Sequence, residues 1–142
     1  MKTFEIEIIS PEKVVFKGAA KSLVVPAYCG KLGVWAGHIP TVAQLVPGEI
    51  KLELAQPYEN ETTFYFAISG GFSDITQKKV RLLVETAEMA GDISEERARL
   101  ALERAKKQIK EGRDIAQAQA AALRALSRLK VVEKTRKRGV KP

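Results

Sequence analysis

The sequence predicts a mixed fold, β first and then α: an N-terminal antiparallel β-sandwich or barrel followed by a C-terminal antiparallel two-helix hairpin. Three observations carry this expectation. Up to Asp92, short β-branched and aromatic runs are broken repeatedly by Gly and Pro, the punctuation of an all-β unit. Beyond it no proline occurs until Pro142, and Ala and Leu recur at helical spacing. The charge divides at the same place. Residues 1–92 carry 9 Lys and Arg against 11 Asp and Glu, while residues 93–142 carry 15 against 6, so the whole net charge of +7 resides in the helical part. The expected organisation is a β-sandwich over residues 1–91, a helical hairpin over 92–132 and a disordered basic tail over 133–142.

A chain of 142 residues holds one ordinary domain, or a compact domain with a small satellite. Its hydrophobic fraction of 45% and charged fraction of 29% are those of a folded, soluble protein. No apolar run reaches the roughly 18 residues that a membrane helix needs. A strand pattern beginning at Phe4 leaves no room for a signal or transit peptide. The single cysteine, Cys29, excludes an internal disulfide and a CxxC motif and fits a reducing compartment. The basic excess points to an anionic partner, whether nucleic acid, lipid headgroups or an acidic protein surface.

In chain order, Phe4, Ile6 and Ile8 alternate with Glu5 and Glu7, the period of a strand with one buried face. Ser10–Lys13 reads as a turn. Val14–Phe16 begins a second strand expected to end at Gly18, and Ser22–Val25 a third expected to halt at Pro26. Ile50, Leu52 and Leu54 alternate with Lys51 and Glu53. Thr62–Ile68, Phe72–Thr76 and Val80–Val84 follow, with Gly70-Gly71 expected to supply the positive φ of a tight hairpin. The segment from Gly30 to Pro40 holds three glycines, the only Trp (Trp35) and the only His (His38). One histidine is too few for an ordinary metal site, and no nucleophile motif accompanies it. It reads as a shaped loop whose Trp35 and His38 pack locally or against another chain, with no catalytic role.

Asp92 and Glu95 have capping-box spacing for a first helix, with Glu95 and Glu96 in its positive first turn. Ala98, Ala101, Leu102, Ala105 and Ile109 mark one face, and Gly112 is a stop. Asp114 is placed to cap a second helix whose Ala118, Ala122, Ala125 and Leu129 share a stripe. Alanine buries little area yet holds each helix together alone, which suits a hairpin that can detach and stay helical. Its cations are clustered: Arg97, Arg99, Arg104, Lys106, Lys107, Lys110 and Arg113, then Arg124, Arg128 and Lys130. Exposed ion pairs contribute under about 1 kcal/mol each, so these charges serve better as a surface for an anionic target.

The order Leu32-Gly33-Val34-x-x-Gly37-His38-Ile39-Pro40, Ser69-Gly70-Gly71-Phe72 and an Ala/Arg helical hairpin resembles the epsilon subunit of F-type ATP synthases over residues 2–132. The resemblance implies a sandwich of about ten strands and two antiparallel helices in a non-catalytic rotor subunit. It implies a place in the central stalk against the gamma subunit and the c-ring, through a contact loop of Val34, Trp35, Gly37, His38, Ile39 and Pro40. It also implies a hairpin that extends toward the catalytic beta subunits and restrains ATP hydrolysis, with the ten cations named above as inhibitory contacts. Some family members bind ATP as a regulatory ligand through Ile-Asp-x-x-Arg-Ala. Here the stretch reads Ile93-Ser94-Glu95-Glu96-Arg97-Ala98, with Ser94 in place of the aspartate. Glu88, Ile93, Ser94, Arg97, Ala98, Arg104, Arg124 and Arg128 are the ATP-site residues so implied. No cofactor or metal is required. The implied location is peripheral, on the cytoplasmic face of the bacterial inner membrane, reached only through the complex. A basic nucleic-acid-binding module is the alternative. Against it, the β part is net negative and its aromatics do not interleave with Lys and Arg, as a stacking platform requires.

Overall fold

The structure, a computed structural model, describes residues 2–137. Among these lie nine strands: β1 (Phe4–Ile9), β2 (Val14–Ala27), β3 (Gly30–Trp35), β4 (Thr41–Leu45), β5 (Gly48–Tyr58), β6 (Glu61–Ile68), β7 (Gly71–Ile75), β8 (Lys79–Val84) and β9 (Ala87–Met89). A 3-10 turn (Ala90–Asp92) leads into helices α1 (Glu95–Glu111) and α2 (Ile115–Lys137). The β-sandwich and helical hairpin are as the sequence predicts, with nine strands where the family resemblance implied about ten.

The sheet runs β1-β8-β7-β4-β2-β5-β6-β9, with β3 also on β2 and β1 closing back onto β2. The alternating residues of β1 and β5 are buried as expected: Phe4, Ile6 and Ile8, and Ile50, Leu52 and Leu54, meet Leu23, Phe66, Ile75, Val80 and Leu82 in one core. Glu7 departs from the simple alternation. It lies on the outer face but is buried, held by Lys79 at 2.8 Å. That hydrogen bond, with the charges of Lys79, Lys17 and Arg81, holds its carboxyl below the ordinary carboxylate range.

Three local expectations are corrected. The sheet is not wholly antiparallel, because β1 pairs in parallel with β8; the intervening strands supply the long connection that a parallel pair needs. Gly18 and Pro26 do not end strands. They lie inside β2, which pairs with β1 through its first half and with β3 and β5 through its second, changing partners at an irregularity between Ala20 and Ser22. Pro26 is tolerated near the end of the strand, where its carbonyl accepts from Val46 N at 2.9 Å. The third correction concerns Gly70 and Gly71. Both have positive φ, 114° and 147°, but they form no hairpin: β6 pairs with β5 and β9, whereas β7 pairs with β4 and β8. The glycines carry the chain from one part of the sheet to another.

At the helices, Asp92 is not the cap. It falls in the 3-10 turn, and Ser94 caps α1 by accepting from Arg97 N at 3.3 Å. Gly112 ends α1 as expected, at φ 73°, with Gly112 N donating to Ile109 O and Arg113 N to Gln108 O. Asp114 precedes α2 with φ 43°, its carbonyl accepting from Ala118 N at 2.9 Å. The expected boundary at Val132 is also corrected. α2 continues to Lys137, because Val131, Val132 and Thr135 prolong a buried helical stripe that no Gly or Pro interrupts. The rest of the expected tail, 138–142, lies outside the described residues.

Gly71 is the tightest point of the sandwich: a Cβ there would lie 2.0 Å from the Leu83 carbonyl oxygen. Gly71→Ala combines that overlap with backbone strain and is expected to lower stability by about 2–5 kcal/mol, read from urea unfolding of the full chain.

Candidate functional site

The hairpin sits on the outer face of β5 and β6 through α2, while α1 packs chiefly on α2. The seat is built from strand register. Across β5, β6 and β9, Glu49 is paired with Ala67 and Ala67 with Glu88, so two carboxylates flank one alanine on a single row. Neighbouring strands lie about 4.8 Å apart, which separates the carboxylate-bearing backbones by about 10 Å. On α2, Arg128, Val131 and Lys134 recur every third residue, spanning about 9 Å along the axis. The two spacings match. Val131 is fully buried in a cluster with Ala67 and Ala90, with Tyr65 and Ile93 packed against it. Arg128 Nε donates to Glu88 Oε1 at 2.7 Å on one side, and Lys134 Nζ donates to Glu49 Oε1 on the other.

The apolar part of this seat is small. Burying Val131 contributes about 1.5–3 kcal/mol, and Ala67 and Ala90 add little area. Polar contacts complete it: Lys134 lies 5.8 Å from the Tyr65 ring centroid, and Lys31 approaches Glu49 at 4.0 Å. The helices are joined by small residues, with Ala98 and Ala105 of α1 and Ala118 and Ala125 of α2 buried. Arg136 of α2 also donates to Glu95 of α1 at 2.7 Å, and Arg99 bonds the other oxygen of Glu95 at 2.6 Å. The Arg136 hydrogen bond, with the charges of Arg136 and Arg99, holds the Glu95 carboxyl below its ordinary range.

Of the residues implied for nucleotide, Glu88, Arg124 and Arg128 come together. With Ser69 and Thr86 they line a narrow cleft between β6, β9 and α2 of about 10 Å³, room for about one water molecule. This is far below the roughly 300 Å³ of ordinary ligand pockets, so a phosphate group would have to displace the Glu88–Arg128 contact to enter. The remaining five do not line it. Ile93 packs against the Val131 cluster, and Ser94 spends its hydroxyl on the α1 cap. Ala98 is buried, and Arg97 and Arg104 are exposed on α1.

Among the proposed inhibitory contacts, Arg97, Arg99, Arg104, Lys106, Lys107, Lys110, Arg113 and Lys130 are exposed, and Arg124 and Arg128 half-buried. Arg99 pairs with Glu95, Arg113 with Glu111 at 2.7 Å and Arg128 with Glu88. Sequence reasoning missed Lys134, Thr135 and Arg136 by assigning them to a tail, although Val131 and Thr135 at i, i+4 already continued the helical period. It also missed Glu49, whose place opposite α2 depends on sheet register.

At the other implied contact, Val34 is buried in the core rather than presented, as the last inward residue of β3. Trp35, at 61% exposure, and Ile39, at 76%, do face solvent. Trp35 lies over Gly33, where a Cβ would come within 2.8 Å of the ring. Gly37, at φ 83°, and His38 shape the loop before Pro40: Gly37 N donates to Gln77 O, and His38 Nδ1–H donates to Ile39 O at 2.7 Å. Apolar exposure extends beyond this loop to Val42, Phe72 and Leu83 on β4, β7 and β8, which the sequence reading left out. Among the described residues no cluster of three or more His, Cys, Asp and Glu could hold a metal, and no helix is long and apolar enough to cross a membrane.

The chain thus combines a β-sandwich that exposes Trp35, Ile39, Val42, Phe72 and Leu83 with a basic helical hairpin seated on it through α2. Residues 3–90 match the family model of the ATP synthase delta/epsilon chain β-sandwich domain. The ATP synthase epsilon chain of Staphylococcus haemolyticus is 41% identical over 136 residues, covering 94% of this chain and 98% of the relative. That of Nitrosococcus oceani is 34% identical over 139 residues, covering 96% of each. The chain belongs to the ATP synthase epsilon chain family. Its members are stalk subunits of the synthase rather than its catalytic chain, as the resemblance implied. The fold recurs in a chain of the Euglena gracilis mitochondrial ATP synthase (TM-score 0.73, 24% identity, 94% of this chain and 81% of that one). It recurs again in the central stalk and c-ring structure from Tetrahymena thermophila (TM-score 0.56, 16% identity, 94% and 96%).

The Glu95 pairing gives a pH prediction. A carboxyl depressed on folding contributes stability above its unfolded value, 4.5, and loses it as pH falls through the folded value. The melting temperature is therefore expected to fall on acidification below about pH 4.5. Glu95→Gln should flatten that part of the profile in scanning calorimetry.

Proposed function

We propose that this chain is a rotor subunit of a bacterial ATP synthase whose hairpin leaves its seat to restrain ATP hydrolysis. The observation that carries this reading is the construction of the seat: a small apolar cluster centred on Val131 and two ionic contacts hold α2 to the sandwich, while most of the hairpin's cations point to solvent. In the complex, the Trp35–Pro40 loop and the adjoining Val42, Phe72 and Leu83 surface supply apolar contacts to gamma and the c-ring. Arg97, Arg99, Arg104, Lys106, Lys107, Lys110, Arg113, Arg124, Arg128 and Lys130 meet acidic surface of the beta subunits once the hairpin extends. Charges withdrawn from water at such an interface interact more strongly than they do on the free chain. The chain sits peripherally on the cytoplasmic face of the membrane, through the complex alone. Membership of this family leaves the nucleic-acid reading unsupported.

ATP is the proposed regulatory ligand of the seated state. Arg124 and Arg128 lie one turn apart beside the Ser69 and Thr86 hydroxyls, a set of donors suited to phosphate. Binding only to the seated hairpin would shift the equilibrium toward it by RT ln(1 + [L]/Kd).

Two measurements test the reading. In the reconstituted synthase, replacing Arg97, Arg99 and Arg104 together by alanine is expected to raise ATP hydrolysis severalfold; an unchanged rate counts against the electrostatic restraint. Calorimetric titration of the full chain with ATP, with and without magnesium, is expected to show saturable binding that weakens in Arg124→Ala. Absence of heat at millimolar nucleotide rejects the nucleotide part.

A further inference from the structure

The Glu49 side of the seat lies apart from the Arg124–Arg128 cleft and has its own physical logic. Glu49 extends from β5 toward the last turns of α2. Its Oε1 takes the Lys134 ammonium, with Lys31 of β3 at 4.0 Å. Its Oε2 is buried without a hydrogen-bond partner among the described residues. Lys134 also lies near the Tyr65 ring, and Val131 and Thr135, three residues before and one after it, are buried. Covering a carboxylate withdraws hydration from both oxygens, but among the described residues only Oε1 regains a partner. Docking of α2 thus has a built-in cost at Glu49 that the Lys134 charge must offset. Without Lys134, α2 would cover a carboxylate lacking its principal cation. With α2 lifted, both oxygens are returned to water. The site therefore favours either a complete clasp or none.

We infer that Glu49 and Lys134 form a clasp that sets the seated population of the hairpin independently of the Arg124–Arg128 cleft. This rests on the proposed detachment of the hairpin and adds to it a second, nucleotide-independent control. A ligand in the cleft would take the place of Glu88 as the partner of Arg128, exchanging one contact beside the Ala67 row for another. The clasp on the other side of that row still holds α2 in register while the first contact is exchanged. Its position in the last turns of α2 also makes it the place where a partner could begin lifting the helix, by offering Lys134 another anion.

The test uses the full chain carrying Cys29→Ser and Val131→Cys, so that the buried thiol at position 131 reacts with an aromatic disulfide reagent only when α2 lifts. Labelling is measured at fixed pH without nucleotide, alongside global stability from urea unfolding. The parent is expected to label faster than global unfolding allows. Adding Lys134→Met should raise the rate about tenfold, equivalent to about 1.4 kcal/mol in the seated equilibrium. Lys130→Met, which removes the same charge from the same cleft, should leave it near the parent value, as should Lys134→Arg, which keeps the cation. Equal rates for Lys134→Met and Lys130→Met would overturn the clasp while leaving detachment intact. Labelling in the parent no faster than global unfolding would instead overturn detachment, and the clasp with it. Circular dichroism at matched helicity assigns an increase to lifting rather than to melting of α2.

Discussion

The agreement between sheet spacing and helix rise at one row of the sandwich is the constraint on which the second half of the molecule depends. Glu49, Ala67 and Glu88 are neighbours only because β5, β6 and β9 pair in this register. A one-residue slip would turn each of these side chains to the other face. Ala67 matters here because it is small. It lets the backbone of α2 approach closely enough for Val131 to be buried and for Arg128 and Lys134 to reach carboxylates on either side. A larger residue at that place would raise the helix and stretch both ionic contacts together.

The division of labour between the two parts follows from how each is held. The sandwich buries a continuous core contributed by eight of its strands, from Phe4 to Val84, and its loops are tied by backbone hydrogen bonds such as Gly37 N to Gln77 O. The hairpin rests on a cluster of three buried residues and a few charged contacts. Opening free energies within one protein differ by region, and elements with few buried apolar contacts lie at the low end. The structure thus supplies a rigid platform and a lightly held arm without a flexible linker between them. The connection is the single 3-10 turn Ala90–Asp92 followed by Ile93 and Ser94.

Much of this was legible in the sequence, for identifiable reasons. The alternation in β1 and β5 and the Ala/Leu stripes of the helices are local patterns that tertiary packing did not override. Gly112 declared the end of α1 because a left-handed residue there needs no partner elsewhere. What could not be read depends on distant parts of the chain. Gly18 and Pro26 read as strand ends, yet β2 runs through both because it exchanges neighbours midway. Ser94, not Asp92, caps α1, since the chain first makes a 3-10 turn against the sandwich. The eight residues implied for nucleotide converge only in part: Glu88 and the α2 arginines meet, but Ser94 is committed to its helix. Glu49 gave no signal at all, being an ordinary outward residue of a half-buried strand until α2 covers it. The last turns of α2 were readable and were missed, because their charge suggested a solvated tail while Val131, Val132 and Thr135 were continuing the stripe.

The asymmetry between the helices decides how the arm would move. α2 carries the Val131, Arg128 and Lys134 contacts to the sandwich, whereas α1 is held chiefly through α2 by the alanine seam and the Arg136–Glu95 pair. Lifting α2 therefore takes α1 with it, and the first barrier is met at the sandwich rather than between the helices. Parting the helices afterwards exposes the methyls of Ala98, Ala105, Ala118 and Ala125 with the half-buried Leu102, Ile109 and Leu129 of the same stripes, and alanine favours the helix whether or not a neighbour is present. A leucine-lined seam would make the second step comparable to the first and would leave a single helix less stable in isolation. The small residues along Ala98, Ala105, Ala118 and Ala125 would thus leave the seat as the main barrier to the proposed movement of the hairpin.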